Sequence, residues 1–242
     1  MNKAKIHYLY HDGFIVETNS HILIFDYFNN SSDSKSRRLR DGVIPEEIFS
    51  TEKSICVFVS HGHEDHFNPF IFNWRNVNPD IQYILSSDIE IKDTYPEHRL
   101  ISEGDSIQYD QIFIKAYGST DIGISFLVKV DGINIFHAGD LNWWHWKDES
   151  EEYNVEMSKA FKAQIQRLRD EKIDIAFFPV DHRLEEYYYL GGQYFIENLF
   201  PKLFIPMHFG DNPKITQSFA ERLKNFDIDI VIINKRGQEI LF

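Results

Sequence analysis

A group of four potential metal ligands directly follows a buried strand, and this arrangement constrains the fold more than any other feature of the chain. Residues 54–60 form a continuous apolar run, which predicts a strand buried on both faces. His61, His63, Asp65 and His66 come next, in the spacing His-x-His-x-Asp-His. Imidazole and carboxylate groups bind zinc and its first-row neighbours. The fold must therefore place the carboxyl end of this strand where side chains can converge on a metal, as layered α/β folds do.

Composition and charge exclude several classes of function. The 242 residues suit a single domain, predicted to span residues 1–242. With 25 basic and 38 acidic side chains, the formal net charge of −13 does not favour binding to nucleic acid or to an anionic membrane surface. We see no signal peptide at the start of the sequence and no apolar run near the ~18 residues of a membrane span. A cytoplasmic protein without membrane or nucleic-acid partners is expected.

Hydrophobic periodicity predicts mixed sheets covered by helices. Short strands in a meander come first, and strands alternating with helices follow, which is typical of an α+β domain. Residues 150–171 carry an apolar stripe at helical spacing. A loop is predicted at residues 187–192 and a closing hairpin at residues 228–242. Residues 29–42, which include Lys35, read as a solvated basic loop.

Two later residues are further candidate ligands. Asp140 and His208 each lie just past an apolar segment, as His61 does. Because the carboxyl ends of neighbouring parallel strands meet at one edge of a sheet, these side chains are expected to converge. Each residue taken alone is only weak evidence for a metal site, because strand-end His and Asp residues often have structural roles.

With these residues in place, the chain resembles the metallo-β-lactamase superfamily. The segment His61-Gly62-His63-Glu64-Asp65-His66 matches the signature motif of that family, Gly139-Asp140 its later aspartate and Pro206-Met207-His208 its last histidine. The similarity starts at the early strand that ends in Asp26, and its style is closest to the branch that contains ascorbate-6-phosphate lactonase. The resemblance implies a four-layer αβ/βα sandwich of two mixed β-sheets flanked by helices.

The resemblance also implies a chemistry for the site. Two metals, zinc first and Mn²⁺, Ni²⁺ or Fe²⁺ as alternatives, would share a hydroxide that attacks a small-molecule ester, lactone or phosphodiester. Asp65 would also act catalytically, by orienting that hydroxide and passing its proton on. The implied ligands are His61 and His63 for the first metal, Asp65, His66 and His208 for the second, and Asp140 as the bridge.

One histidine of the family pattern is missing from this chain. The family usually supplies another ligand to the first metal from the region that matches residues 116–123, and no histidine lies there. Asp121 could take its place, His145 could reach in, or the first site could lack one protein ligand. Asp26 is a candidate acceptor that fixes the tautomer of a ligand histidine, or it caps a turn.

Residues beyond the ligands could shape a substrate pocket. An aromatic segment follows Asp140, and a polar segment follows the predicted strand at residues 173–180. The aromatic residues could form a substrate wall or pack under the following helix. In the polar segment, a histidine could protonate a leaving group and an arginine could hold an anion, or both could form a structural turn with Asp181. The candidates are Trp143, Trp144, His145, Trp146, His182 and Arg183.

These observations favour a metal-dependent hydrolase with a small-molecule substrate. The missing histidine leaves a mononuclear or non-catalytic metal-binding protein as the alternative. An RNA-processing nuclease is less well supported, because the acidic charge disfavours polyanion binding.

Overall fold

The protein forms two compact units, seen here in a computed structural model. The first unit comprises Met1–Ile101 and Lys235–Phe242, and the second comprises Ser102–Asn234. The single domain expected over the whole chain stays a prediction. The structure describes residues 3–32, 37–90, 92, 96–109 and 111–242, so Lys35 of the predicted basic loop lies outside the described residues.

The first unit is built on a mixed sheet of seven strands. These are β1 (Lys5–Tyr10), β2 (Gly13–Glu17), β3 (His21–Phe25), β4 (Ser54–Val59), β5 (Gln82–Ser86), β6 (Arg99–Ile101) and β14 (Glu239–Leu241). Their order in the sheet is β14-β1-β2-β3-β4-β5-β6. The pairings from β14 to β3 are antiparallel, and those from β3 to β6 are parallel.

Strands β3 and β4 form the buried centre of this sheet. Every residue of β3 is buried, and so is every residue of β4 after the first. Their parallel register sets Phe25 opposite Phe58, and the two rings stack with centroids 4.8 Å apart. On the other face of the sheet, a 3-10 helix over Pro69–Asn76 adds Trp74 to an apolar core with Ile24 and Val57. The continuous apolar run in the sequence therefore marks a strand buried on both faces, as predicted.

The second unit contains another seven-stranded mixed sheet. Its strands are β7 (Ser106–Tyr109), β8 (Ile112–Gly118), β9 (Ile124–Val130), β10 (Ile133–His137), β11 (Ile175–Pro179), β12 (Leu203–Met207) and β13 (Asp229–Ile230). They lie in the order β13-β12-β11-β10-β9-β8-β7. Read from β7, three antiparallel pairings are followed by three parallel ones, the same succession of directions as in the first sheet read from β14. The prediction of two mixed sheets with helices is confirmed.

Three α-helices belong to the second unit, namely α1 (Glu151–Arg167), α2 (Leu190–Leu199) and α3 (Lys214–Arg222). Helix α1 begins after Ser150, whose hydroxyl accepts the N–H of Tyr153 as an N-cap. It ends before the predicted residue 171, because the N–H of Leu168 already turns back to the carbonyl of Ile165. In the part of the chain that the structure describes, no helix is long and apolar enough to cross a membrane.

Two predicted elements are wrong. The closing hairpin does not form, because β13 pairs with β12 while β14 pairs with β1. The turn before β14 is instead held by Arg236, whose guanidinium donates to the carbonyls of Leu9, Asn29 and Gly42. The predicted loop at residues 187–192 instead contains a 3-10 turn and the start of α2.

In each sheet the parallel strands end at one edge. In the first sheet, Asp26 follows β3 and His61 lies just past β4. The tight turn between β1 and β2 lies at this same edge, because Phe14 at the start of β2 pairs with Phe25 at the end of β3. In the second sheet, strands β10, β11 and β12 end just before Asp140, Asp181 and His208 respectively.

Candidate metal centre

In the first unit, the signature motif folds into a closed turn that gathers its donor atoms. The N–H groups of His66 and Phe67 both donate to the carbonyl of His63, at 3.0 and 2.9 Å. Donor atoms of His61, Asp65 and His66 all lie within 4.8 Å of one another, and the two histidines are buried while Asp65 is exposed. The exposed His63 presents Nδ1 3.0 Å from His61 Nε2. The folded backbone of the motif thus already holds three donor atoms close enough to bind one ion.

Asp26 orients two of the motif histidines. It is fully buried, and its Oδ1 accepts the N–H of Ser60 at 2.8 Å. Its Oδ2 accepts both the Ser60 hydroxyl, at 2.6 Å, and Nδ1–H of His66, at 2.9 Å. Because the Ser60 proton is committed to Asp26, the hydroxyl oxygen accepts Nδ1–H of His61, 3.0 Å away. Both imidazoles therefore carry their proton on Nδ1 and present the Nε2 lone pair, the form that binds a metal.

The turn between β1 and β2 contributes His11, which the sequence left open as either facing the site or hydrogen-bonding locally, and Asp12, which the sequence analysis did not assign to the site. Asp12 is fully buried, with Oδ2 3.8 Å from His66 Nδ1. His11 places its Nε2 3.6 Å from Asp65 Oδ2. In the sequence, the dipeptide Asp12-Gly13 looks like an ordinary turn. The sequence therefore offered a local signal for His11, a histidine before a turn, but none for Asp12.

In the second unit, His208 lies between two carboxylates. Its Nε2 is 3.2 Å from Asp140 Oδ1, and its Nδ1 is 3.0 Å from Asp181 Oδ2. Burial alone would raise the pKa of Asp181, but hydrogen bonds from His208 and Arg183 outweigh it and hold that pKa well below its usual range. Asp181 therefore stays ionised and fixes the His208 tautomer with Nε2 facing Asp140. The sequence analysis treated Asp181 only as part of a turn.

The polar segment after β11 is tied to the same aspartate. Arg183 donates from Nε and Nη2 to Asp181 Oδ2, at 2.8 and 2.5 Å, and its main-chain N–H donates to Oδ1. His182 is exposed, with Nδ1 3.9 Å from Asp181 Oδ1. The structural turn considered in the sequence analysis is thus present. Roles for His182 and Arg183 toward a substrate stay predictions.

The aromatic segment after Asp140 divides between the core and a groove. Trp144 is buried, donates its Nε1–H to the carbonyl of Asp140 at 2.9 Å, and lies edge-on to His208. Trp146 stacks on it, with ring centroids 6.0 Å apart. Trp143 and His145, by contrast, line a groove of about 490 Å³ along helix α1. The segment therefore both supports His208 and offers two side chains to a groove, and their contact with a substrate stays a prediction.

Asp121, the predicted replacement for the missing histidine, is exposed on the loop between β8 and β9. Its N–H donates to the Ser119 hydroxyl, and its charge contributes to raising the pKa of Tyr153. Among the described residues, the clusters of close donor atoms do not include Asp121. Its role as a ligand stays a prediction.

The donor sets fit a divalent cation. In the first unit, buried Asp12 and Asp26 both face Nδ1 of His66, while His61 and Asp65 offer further ligand atoms nearby. Buried carboxylates are found in proteins where they are paired or close to a metal. Imidazole nitrogen with carboxylate oxygen is the ligand chemistry of zinc and of manganese, iron or nickel, so the donors alone do not select one metal.

Similarity to known proteins identifies the class to which this fold and site belong. The Beta-lactamase superfamily domain matches residues 5–208, so the chain belongs to the β-lactamase superfamily. A UPF0173 metal-dependent hydrolase from Pelotomaculum thermopropionicum is 25% identical, over 90% of this chain and 89% of that protein.

Solved structures show the same fold. Igni18, a metallo hydrolase from Ignicoccus hospitalis, matches with a TM-score of 0.66 and 15% identity over 99% of this chain and 98% of its own. The metallo-β-lactamase fold protein YhfI from Bacillus subtilis matches with a TM-score of 0.64 and 11% identity over 100% of both chains. The predicted metallo-β-lactamase fold is thereby confirmed. A specific link to the ascorbate-6-phosphate lactonase branch stays a prediction.

Proposed function

We propose that this protein is a metal-dependent hydrolase of a small molecule with an ester, lactone or phosphodiester bond. Family membership supports this proposal, as does the similarity to a relative named as a metal-dependent hydrolase. The observation that carries it is the buried relay in which Asp26, directly and through Ser60, sets His66 and His61 in the metal-binding tautomer. A histidine cluster that was merely structural would not need this arrangement.

The ligand assignment follows the family resemblance. We propose His61 and His63 for a first metal, Asp65, His66 and His208 for a second, and Asp140 as a bridging ligand. Support comes from each unit taken separately: the motif donors lie close together in the first, and His208 faces Asp140 in the second. Zinc is our first choice, with Mn²⁺, Ni²⁺ and Fe²⁺ as alternatives.

When bound, a divalent metal supplies Lewis acidity toward water and toward the substrate oxygen. The chain's own residues supply orientation and proton transfer. Asp26 and Asp181 hold the His66 and His208 tautomers. The Asp65 side chain is 54% exposed, so it can accept a proton in the site and release it to solvent. Trp143 and His145, which line the groove along α1, are the proposed contacts for the rest of the substrate.

The experiment combines metal analysis with a substrate panel. Protein purified without chelator is analysed for its metal content and then assayed on lactones, carboxylic esters and phosphodiesters, with RNA as a further substrate. We expect turnover of at least one small molecule, its loss in chelator and its recovery when metal is added back. Cleavage of RNA alone would favour the nuclease, and bound metal without any turnover would favour the non-catalytic alternative.

A ligand variant links that turnover to the motif. His66→Ala is expected to lower activity by at least the 10- to 100-fold typical of losing an outer-shell partner of a metal. The matched control is His98→Ala, since His98 also lies in the first unit and, among the described residues, its Nδ1 pairs with the nearby carbonyl of Pro96. Unchanged activity in the His66 variant would contradict the proposed function.

A further inference from the structure

The tight turn between β1 and β2 holds His11 in an unusual backbone conformation. The register of the two strands shifts between Tyr8 and Tyr10, which marks a β-bulge, and His11 has φ of 53°. Bulges re-aim side chains next to active sites. A positive φ in a residue other than glycine costs about 1 kcal/mol or more and persists only where its surroundings impose it.

Tyr8 imposes the conformation of His11. The His11 N–H donates to the Tyr8 hydroxyl oxygen at 3.0 Å in a buried setting. Burial raises the pKa of Tyr8 far above its usual range, so the phenol remains neutral and keeps its oxygen as an acceptor. The Phe28 ring lies edge-on to the His11 imidazole with centroids 6.3 Å apart. Backbone and ring are therefore both fixed, which is what a preorganised ligand requires.

The imidazole of His11 is aimed at the donors of the motif. Its Nε2 lies 3.6 Å from Asp65 Oδ2, and its ring lies edge-on to that of His66 with centroids 5.5 Å apart. A separation of 3.6 Å is too long for a hydrogen bond. It is close to the ~3.3 Å expected between two ligands of one tetrahedral zinc with bonds of about 2.0–2.1 Å.

We propose that His11 is a further metal ligand, which binds the same ion as Asp65 and His66. This inference rests on the proposed function, because it assumes that the motif binds a metal. It gives the first unit two imidazoles and one carboxylate for one ion. Imidazole nitrogen and carboxylate oxygen are ligands that suit zinc and non-haem iron alike.

The test is the metal affinity and coordination of His11→Asn in the full-length protein. Asparagine tolerates a positive φ, so it preserves the turn, but its side chain is too short to reach the ion. We expect the affinity for Co²⁺ and Zn²⁺, measured against a competing chelator, to fall by about 10- to 100-fold. The visible spectrum of the Co²⁺ protein should change, and X-ray absorption should count one imidazole fewer. His98→Asn is the matched control and should change none of these.

Every outcome bears on the proposal. Unchanged affinity in His11→Asn would overturn it. A lower affinity with an unchanged cobalt spectrum and imidazole count would also overturn it, because His11 would then only position Asp65. Should the asparagine variant fail to fold, His11→Gly removes the imidazole and relieves the positive φ at the same time. A wild-type protein that takes up no metal would instead reject the proposed function, so the two failures are distinguishable.

Discussion

Replacing Asp26 by asparagine tests the organisation of the metal centre most directly. The substitution keeps the size of the side chain, and the amide oxygen can still accept the N–H of Ser60. It also places an amide N–H group where the carboxylate now accepts two hydrogen bonds, one from the Ser60 hydroxyl and one from His66 Nδ1. The imidazole of His66 is no longer held with its proton on Nδ1, and its Nε2 lone pair is no longer directed toward a metal.

Two quantities should change in Asp26→Asn. Losing an outer-shell acceptor lowers metal affinity by about 10- to 100-fold, which corresponds to about 1.4–2.7 kcal/mol. In the metal-free protein, buried donors that lose a charged acceptor cost about 1.5–3 kcal/mol each. Because asparagine retains one of the three hydrogen bonds and loses two, we expect the free energy of unfolding to fall by about 3–6 kcal/mol.

The assays are chelator competition for metal affinity and urea unfolding of the metal-free protein. Asp174→Asn is the matched control, since Asp174 is also a buried aspartate that accepts a main-chain N–H, that of Asn134, and it pairs with Lys202. It lies at the opposite end of its strand from the candidate ligands. The control should lose stability but keep metal affinity. Wild-type metal affinity in Asp26→Asn would refute the relay.

Two further predictions concern the second unit. Replacing glycine by alanine inside a helix normally stabilises a protein by about 1 kcal/mol. Gly192→Ala should instead destabilise this protein by about 1–3 kcal/mol, because the new Cβ would lie 2.7 Å from the Phe219 ring. A higher melting temperature for this variant would contradict the packing argument. Burial would raise the pKa of Glu171, yet hydrogen bonds from one tyrosine and two lysines lower it overall. Glu171→Gln should therefore lower the free energy of unfolding by about 1–2 kcal/mol at pH 7. Measured by urea unfolding across pH 3–7, this difference should shrink as the pH falls through the Glu171 pKa. A difference that does not depend on pH would argue against an ionic origin.

Much of the fold could be predicted because the relevant signals are local. The apolar run before His61 specifies a buried strand, and turn residues separate the short strands of the first sheet. The end of the chain was different. The apolar pattern of residues 228–242 suits a hairpin as well as two separate edge strands, and the choice depends on Arg236, which binds carbonyls from distant segments.

Helix α2 was missed for a related physical reason. Paired glycines within a short apolar segment predict a loop, because glycine lowers helix propensity. The structure uses their lack of a side chain for close packing: a Cβ at Gly191 would meet the Asn142 side chain, and one at Gly192 would meet Phe219. Propensity is a property of the segment, whereas this packing depends on helix α3 and on the loop after β10.

Ligand spacing and apolar periodicity are short-range properties, so the sequence alone predicts the motif and its position after a buried strand. The family of the fold was implied by the resemblance of these motifs to a known family. Only the tertiary structure brought His11 and Asp12 to the motif and set Asp181 against His208, since these contacts join residues that are far apart in the chain. A metal-binding imidazole needs a partner on its second nitrogen and a fixed direction. Strand register and a strained turn supply both here, and neither can be read from the spacing of residues in the sequence.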